Sequence, residues 1–135
     1  MLLIRQAAVY APEYLGVRDV LVCGGVIEAV EEQIEGELPF CKVIDGRGKK
    51  LTPGFIDPHV HITGGGGEGS FHTQVPPVKL SELLQGGVTS LVGLLGTDGI
   101  SRNMESLLAR GKALKEEGLT VYLCTGSYGY PSVTL

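Results

Sequence analysis

The stretch of this 135-residue chain that most restricts its fold runs from Leu51-Thr52-Pro53-Gly54-Phe55-Ile56 through Asp57-Pro58-His59-Val60-His61 into Thr63-Gly64-Gly65-Gly66-Gly67-Glu68. The spacing predicts a buried strand over Leu51 to His61. In extended chain, side chains two apart leave the same face, so His59 and His61 point the same way while Val60 faces the other layer. Two imidazoles on one face suit a divalent ion of the zinc type, although a catalytic site needs further protein ligands and an open position for water. A His-x-His pair also fits two partly exposed strand residues. Asp57 shares their face, where it either orients an imidazole or hydrogen-bonds inside the core. Pro58 has no N–H to give to a ladder, so strand pairing must loosen there.

Around this strand the chain changes character. Residues 1–50 alternate short β-branched runs with turn signals, and Leu2 to Val9, Asp19 to Val22, Val26 to Val30 and Cys41 to Ile44 read as strands. Gly24-Gly25 is a tight hairpin turn, and Glu28, Glu31 and Lys42 give the sheet one wet face. Residues 51–135 instead alternate apolar strands with helical patterns, the signature of a parallel α/β layer. A short helix around Leu80, Leu83 and Leu84 closes at Gly86-Gly87, and Val88 to Leu95 is a continuous apolar strand. A longer helix follows with Met104, Leu107, Leu108 and Leu114 at helical spacing. Ser101 or Asn103 caps its start, Gly111 weakens its middle, and Gly118 takes the left-handed position after it. Leu119 to Thr125 is the third strand. The predicted class is therefore α/β, a small N-terminal β-sheet (a half-sandwich) over 1–50 followed by three strands and two helices.

Crossover connections of this kind put all strand C-termini on one edge, and ligand chemistry collects there. The loops arriving at that edge are Ile62 to Glu68, Gly96-Thr97-Asp98 and Thr125-Gly126-Ser127-Tyr128. His59, His61, the glycine run with Glu68, Thr97 and Tyr128 are thus expected around one pocket mouth. Gly64 to Gly69 contains the spacing Gly-x-Gly-x-x-Gly, yet no helix pattern starts there and no acidic residue closes the next strand at the required place, so a dinucleotide loop is rejected. The glycines are either a flexible linker or backbone lying against a ligand. Glu68 suits a substrate ammonium or solvent, Thr97 a substrate contact or a helix cap, and Tyr128 a half-buried core position or a hydroxyl aimed at a polarised carbonyl. Cys124 reads as packing inside the third strand, and His72 as solvated.

Net charge of −4 with scattered basic residues excludes the footprint of a nucleic-acid binder. Three cysteines, odd in number and widely spaced, do not suit a disulfide framework and fit a reducing compartment, so a cytoplasmic protein is expected. No apolar stretch approaches the roughly 20 residues of a membrane helix.

With Pro53-Gly54-Phe55-Ile56-Asp57 leading into His59-Val60-His61, the chain resembles the amidohydrolase superfamily of metal-dependent hydrolases. Gly64-Gly65-Gly66-Gly67-Glu68, Val92-Gly93-Leu94-Leu95-Gly96-Thr97-Asp98, Glu105-Ser106-Leu107-Leu108-Ala109 and Thr125-Gly126-Ser127-Tyr128 extend the likeness to the isoaspartyl dipeptidase family. The resemblance implies a (β/α)8 TIM-type barrel, here incomplete, with a binuclear zinc centre, and a small β-sandwich built from N-terminal and C-terminal segments. It implies that His59 and His61 are metal ligands, that Glu68 holds the α-ammonium of a small isoaspartyl dipeptide, that Gly66 and Thr97 contact its aspartyl end, and that Tyr128 stabilises the oxyanion when a metal-activated hydroxide attacks. A homo-oligomer is expected at full length.

The sequence departs from that pattern by stopping. A complete barrel takes about 250 residues, and the bridging carboxylated lysine, two later histidines, catalytic aspartate and carboxylate-binding arginines that the resemblance implies have no counterpart here. The chain is therefore expected to be an N-terminal fragment, inactive alone. Two alternatives stand beside it. Another amidohydrolase, such as a dihydroorotase or hydantoinase, fits the Asp57-to-His61 motif, although Thr63 stands where dihydroorotases usually place an arginine. A noncatalytic interaction module with half a metal site is the other.

Overall fold

Turn chemistry and strand propensity divide the molecule at Pro53-Gly54. The computed structural model describes residues 1–36 and 38–133, and the chain forms two compact units, Met1–Pro53 and Gly54–Leu135. The last two residues of the expected 51–135 segment lie outside the described residues.

The first unit is a five-stranded sheet of β1 (Leu2–Tyr10), β2 (Tyr14–Cys23), β3 (Val26–Glu31), β4 (Lys42–Asp45) and β5 (Lys50–Leu51). The order is β3-β2-β1-β4 with β5 also on β1. β1 is antiparallel to β2 and parallel to β4 and β5. Gly24-Gly25 joins β2 to β3 as expected. Glu28, Glu31 and Lys42 are exposed, and Ala7, Val9 and Val20 make the core with Ile4, Val22 and Leu51 against them. Two boundaries here differ by more than one residue from the sequence reading. β2 starts at Tyr14, before Asp19, because the Tyr10↔Tyr14 pair carries the ladder past the turn signals of Pro12 and Gly16. Leu51 is not the start of the next strand, since it pairs with Val9 and finishes this sheet.

β1 carries a bulge between Ile4 and Ala7, with Gln6 at φ 56°. The buried Asp19 carboxylate answers it, accepting from Gln6 N at 2.8 Å, Ile34 N at 3.1 Å and Arg5 Nη1 at 2.9 Å. Burial pushes this carboxyl up, but the N–H groups of Ile34 and Gln6, the Gln6 amide and the Arg5 charge outweigh it and leave it below its ordinary value.

The second unit has β6 (Phe55–Val60), a 3-10 turn (Phe71–Thr73), α1 (Leu80–Gln85), β7 (Val88–Gly93), α2 (Met104–Glu116) and β8 (Thr120–Leu123). Its sheet is parallel, in the order β6-β7-β8. Helix and strand faces meet in one core of Ile62, Leu83, Leu91, Leu95, Met104, Leu107, Leu114, Leu119 and Val121. Asn103 is the cap of α2, accepting from Ser106 N at 2.9 Å, and Gly118 follows the helix at φ 101°. Pro58 loosens the ladder as its chemistry requires: Asp57 pairs with Leu91 but Val60 with Gly93, so β6 carries one more residue than β7 across the interval. β8 ends at Leu123, which puts Cys124 outside the strand and exposed, contrary to the expectation of a packed strand residue. Among the described residues no helix is long and apolar enough to cross a membrane.

Candidate metal and substrate site

The bulge at Pro58 sets up the histidine pair. Asp57 Oδ1 accepts from His59 N at 3.1 Å, a local turn in which the carboxylate bonds the backbone of the first histidine. His59 is exposed at the end of β6, and His61 is half-buried just beyond it. Their rings meet edge to face with centroids 5.1 Å apart and planes at 87°. His61 Nδ1 lies 3.4 Å from Leu94 O, and Gly65 and Gly96 flank the ring so closely that a Cβ on either would stand 3.5 or 3.3 Å from it. With Nδ1–H given to Leu94 O, Nε2 keeps its lone pair outward.

After His61 the glycine loop folds under its own neighbour. Gly64 and Gly66 have φ of 95° and 68°, and a Cβ would stand 2.2 Å from Val75 O on the first and 2.4 Å from Thr73 O on the second. These glycines therefore admit a close approach of the chain to itself, a use beyond the two that the sequence reading weighed. Glu68, exposed at the loop's end, accepts from Thr97 Oγ1 at 2.8 Å, and the same hydroxyl is 3.3 Å from Gly66 O. Its own backbone N–H, then the Thr97 hydroxyl and the nearby His61, hold the Glu68 carboxyl below its ordinary value. Loops that follow β6 and β7 thus meet through Gly66, Glu68 and Thr97.

Tyr128 lies on the segment that follows β8. It is 76% exposed and lines a groove of about 270 Å³ with Leu94, Leu95, Cys124, Ser127 and Ser132. Leu94 is shared, its carbonyl facing His61. His72 is exposed in the 3-10 turn.

Residues with no role in the sequence reading hold the loops. Asp98, buried, accepts from the N–H groups of Ile100 and Ser101, the Ser101 hydroxyl and the Gln74 amide; these bonds, led by Ser101, hold its carboxyl far below the ordinary range. Arg102 lies 3.6 Å from it. The Asp98-Gly99-Ile100-Ser101 spacing is a local turn signal, and Arg102 has a local ion-pair partner in Asp98, whereas its hydrogen bonds all run to segments distant in sequence.

The donor set fits a zinc-type ion in part. Two imidazoles sharing one tetrahedral ion at about 2.1 Å from each nitrogen have ring centroids roughly 5 Å apart, and His59 and His61 meet that separation. Among the described residues no group of three or more His, Cys, Asp or Glu side chains gathers to complete the shell.

No family model matches the chain. Two structures of the beta-aspartyl dipeptidase from thermophilic keratin-degrading Fervidobacterium islandicum AW-1 superpose over 99% of it, at 48% identity with TM-score 0.92 and at 47% identity with TM-score 0.88. The chain is a relative of isoaspartyl (β-aspartyl) dipeptidases in the amidohydrolase superfamily. The second of those structures is a complex with beta-Asp-Leu dipeptide. A dihydroorotase of Elusimicrobium minutum is 36% identical over 98 residues, 71% of this chain, and an imidazolonepropionase of Alkaliphilus metalliredigens is 34% identical over 100 residues, 68% of this chain. This isoaspartyl dipeptidase relative spans 35–37% of the dipeptidase chain and 22% of each of those two curated relatives. All of these neighbours are hydrolytic enzymes.

Proposed function

We propose that the chain is the N-terminal portion of a zinc-dependent isoaspartyl dipeptidase, and that Gly54 onward forms the first three strands and two helices of its (β/α)8 barrel. The observation that carries this reading is the His59–His61 pair, spaced for one shared ion at the end of β6 with His61 Nδ1 turned to Leu94 O, within a chain 47–48% identical to a beta-aspartyl dipeptidase.

In this reading His59 and His61 hold zinc through outward nitrogens, and the zinc centre, when bound, supplies water activation and carbonyl polarisation. Glu68, kept ionised by its hydrogen bonds, takes the α-ammonium of an isoaspartyl dipeptide. Gly66 and Thr97 meet its aspartyl end, the Thr97 hydroxyl being already shared between Gly66 O and Glu68. Tyr128 donates its hydroxyl to the oxyanion from the groove beside Leu94. With no third such side chain gathered at the two histidines among the described residues, residues 1–135 alone are inactive in this reading, and the complete enzyme is a homo-oligomer.

The test is metal analysis of the complete enzyme together with hydrolysis assays on β-Asp-Leu, dihydroorotate and hydantoins. About two zinc ions per chain, as in a two-metal hydrolase, with cleavage of β-Asp-Leu, is the expected result. Zinc loading with turnover of cyclic amides only overturns the substrate while keeping the metal. Turnover by residues 1–135 as a folded monomer overturns the requirement for further ligands.

A further inference from the structure

The proposed roles of His61, Glu68 and Thr97 leave out the pair that ties their loops together. The Arg102 side chain is only 10% exposed, and each guanidinium nitrogen donates a hydrogen bond: Nε to Thr63 O at 3.0 Å, Nη1 to Gly65 O at 3.0 Å and Nη2 to Val75 O at 2.8 Å. Those carbonyls belong to the glycine loop and to the segment that crosses it, which Val75 N also joins by donating to Gly65 O at 2.7 Å. A planar fork of donors with permanent charge fits such a junction, and a lysine would reach only part of it. Asp98 offsets the charge at 3.6 Å. Asp98 also adjoins Thr97, whose hydroxyl donates to Glu68. One connected path therefore runs from Glu68 through Thr97, Asp98 and Arg102 to Thr63 and Gly65, and so to the residues just after His61.

We propose that Arg102, supported by Asp98, is a positioning residue that sets where the Glu68–Thr97 pair stands relative to His61 and thereby determines affinity for the substrate's ammonium-bearing end. This rests on the dipeptidase reading. Arg102 acts through the loop it fastens, so its loss is read in substrate affinity before chemistry. A residue that merely stabilised the fold would lower the melting temperature and leave KM unchanged in the folded enzyme.

The test compares wild type, Arg102→Lys and Asp98→Asn in the complete zinc-loaded enzyme, by steady-state kinetics on β-Asp-Leu. Hydrogen–deuterium exchange over residues 63–75 is measured on the same proteins without metal. Arg102→Lys is expected to raise KM about tenfold with kcat held within about threefold, and to speed exchange of the Val75 amide about tenfold. Asp98→Asn moves both in the same direction by less, and carries the test if the lysine variant does not fold. KM within about twofold of wild type in a folded variant overturns the proposal, as does a loss confined to kcat. A wild-type enzyme that leaves β-Asp-Leu intact sinks the dipeptidase reading instead, and the exchange measurement then still decides whether Arg102 fastens the loop.

Discussion

Gly111 of α2 faces Leu123 of β8 so closely that a Cβ on the glycine would stand 2.9 Å from Leu123 Cδ2 and 3.2 Å from its Cγ. Helix propensity alone favours alanine there by about 1 kcal/mol. The whole isobutyl group would have to move, and it is itself pressed against Gly93. Overpacking of this kind costs about 1–3 kcal/mol, so Gly111→Ala is expected to destabilise the chain by about 1 kcal/mol net. Denaturant unfolding of the single variants and of the pair with Leu123→Ala checks this: the two changes should couple, the truncated leucine making room for the alanine.

Gly96 offers a test of the histidine's setting. A methyl there would stand 3.3 Å from His61 Nδ1, displacing the ring from Leu94 O, while one on nearby Gly99 meets nothing within 4 Å. Disturbing the partner that orients a metal-binding histidine lowers metal affinity by about 10- to 100-fold. Gly96→Ala should weaken zinc binding by about tenfold in a chelator competition, with Gly99→Ala unchanged; equal affinities would separate His61 from the metal.

Asp19 makes stability fall with acid. Its folded pKa lies below the ordinary value, so the unfolded chain takes up a proton first as pH drops. The stabilisation is complete above the unfolded value of about 3.9 and disappears as pH falls through the folded one. At neutral pH Asp19→Asn should cost about 2–3 kcal/mol, the worth of hydrogen bonds to a charged group. Urea unfolding at pH 7 and pH 3 should show the gap between wild type and variant closing at the lower pH.

Thr63 Oγ1 is buried and finds no hydrogen-bond partner among the described residues, although the Thr63 carbonyl accepts from Arg102. Removing an unsatisfied hydroxyl while keeping the shape is favourable by about 1 kcal/mol. Thr63→Val should raise the melting temperature by a few degrees, measured by calorimetry; a lower value would mean that the hydroxyl has a partner in solution.

These cases show what a single chain reveals of itself. Asn103 as cap, Gly118 after α2, the Gly24-Gly25 turn and the slack at Pro58 were legible because each is decided by neighbours within a few residues. The meeting of the Gly66–Glu68 and Thr97 loops was legible from topology, since parallel strands deliver their ends to one edge. Leu51 was misassigned because Val9, its ladder partner, lies far back in the chain. Asp19 and Arg102 were missed for the same reason: their meaning resides in Gln6 and Ile34, or in Thr63, Gly65 and Val75, and periodicity carries no record of such partners. The tight Gly64 and Gly66 approaches depend on where Thr73 and Val75 return.

The pairing of β5 with β1 has a consequence for the order of synthesis. Each of the strands β1 to β5 lies at or before Leu51, so a ribosome delivering the chain from its N-terminus releases these five strands before either histidine has a settled neighbour. The loop beyond His61 must wait for Asp98 and Arg102. A nascent chain halted between these two stages would carry five paired strands and an unformed histidine loop, and a pause in translation there would separate the folding of the one from the folding of the other.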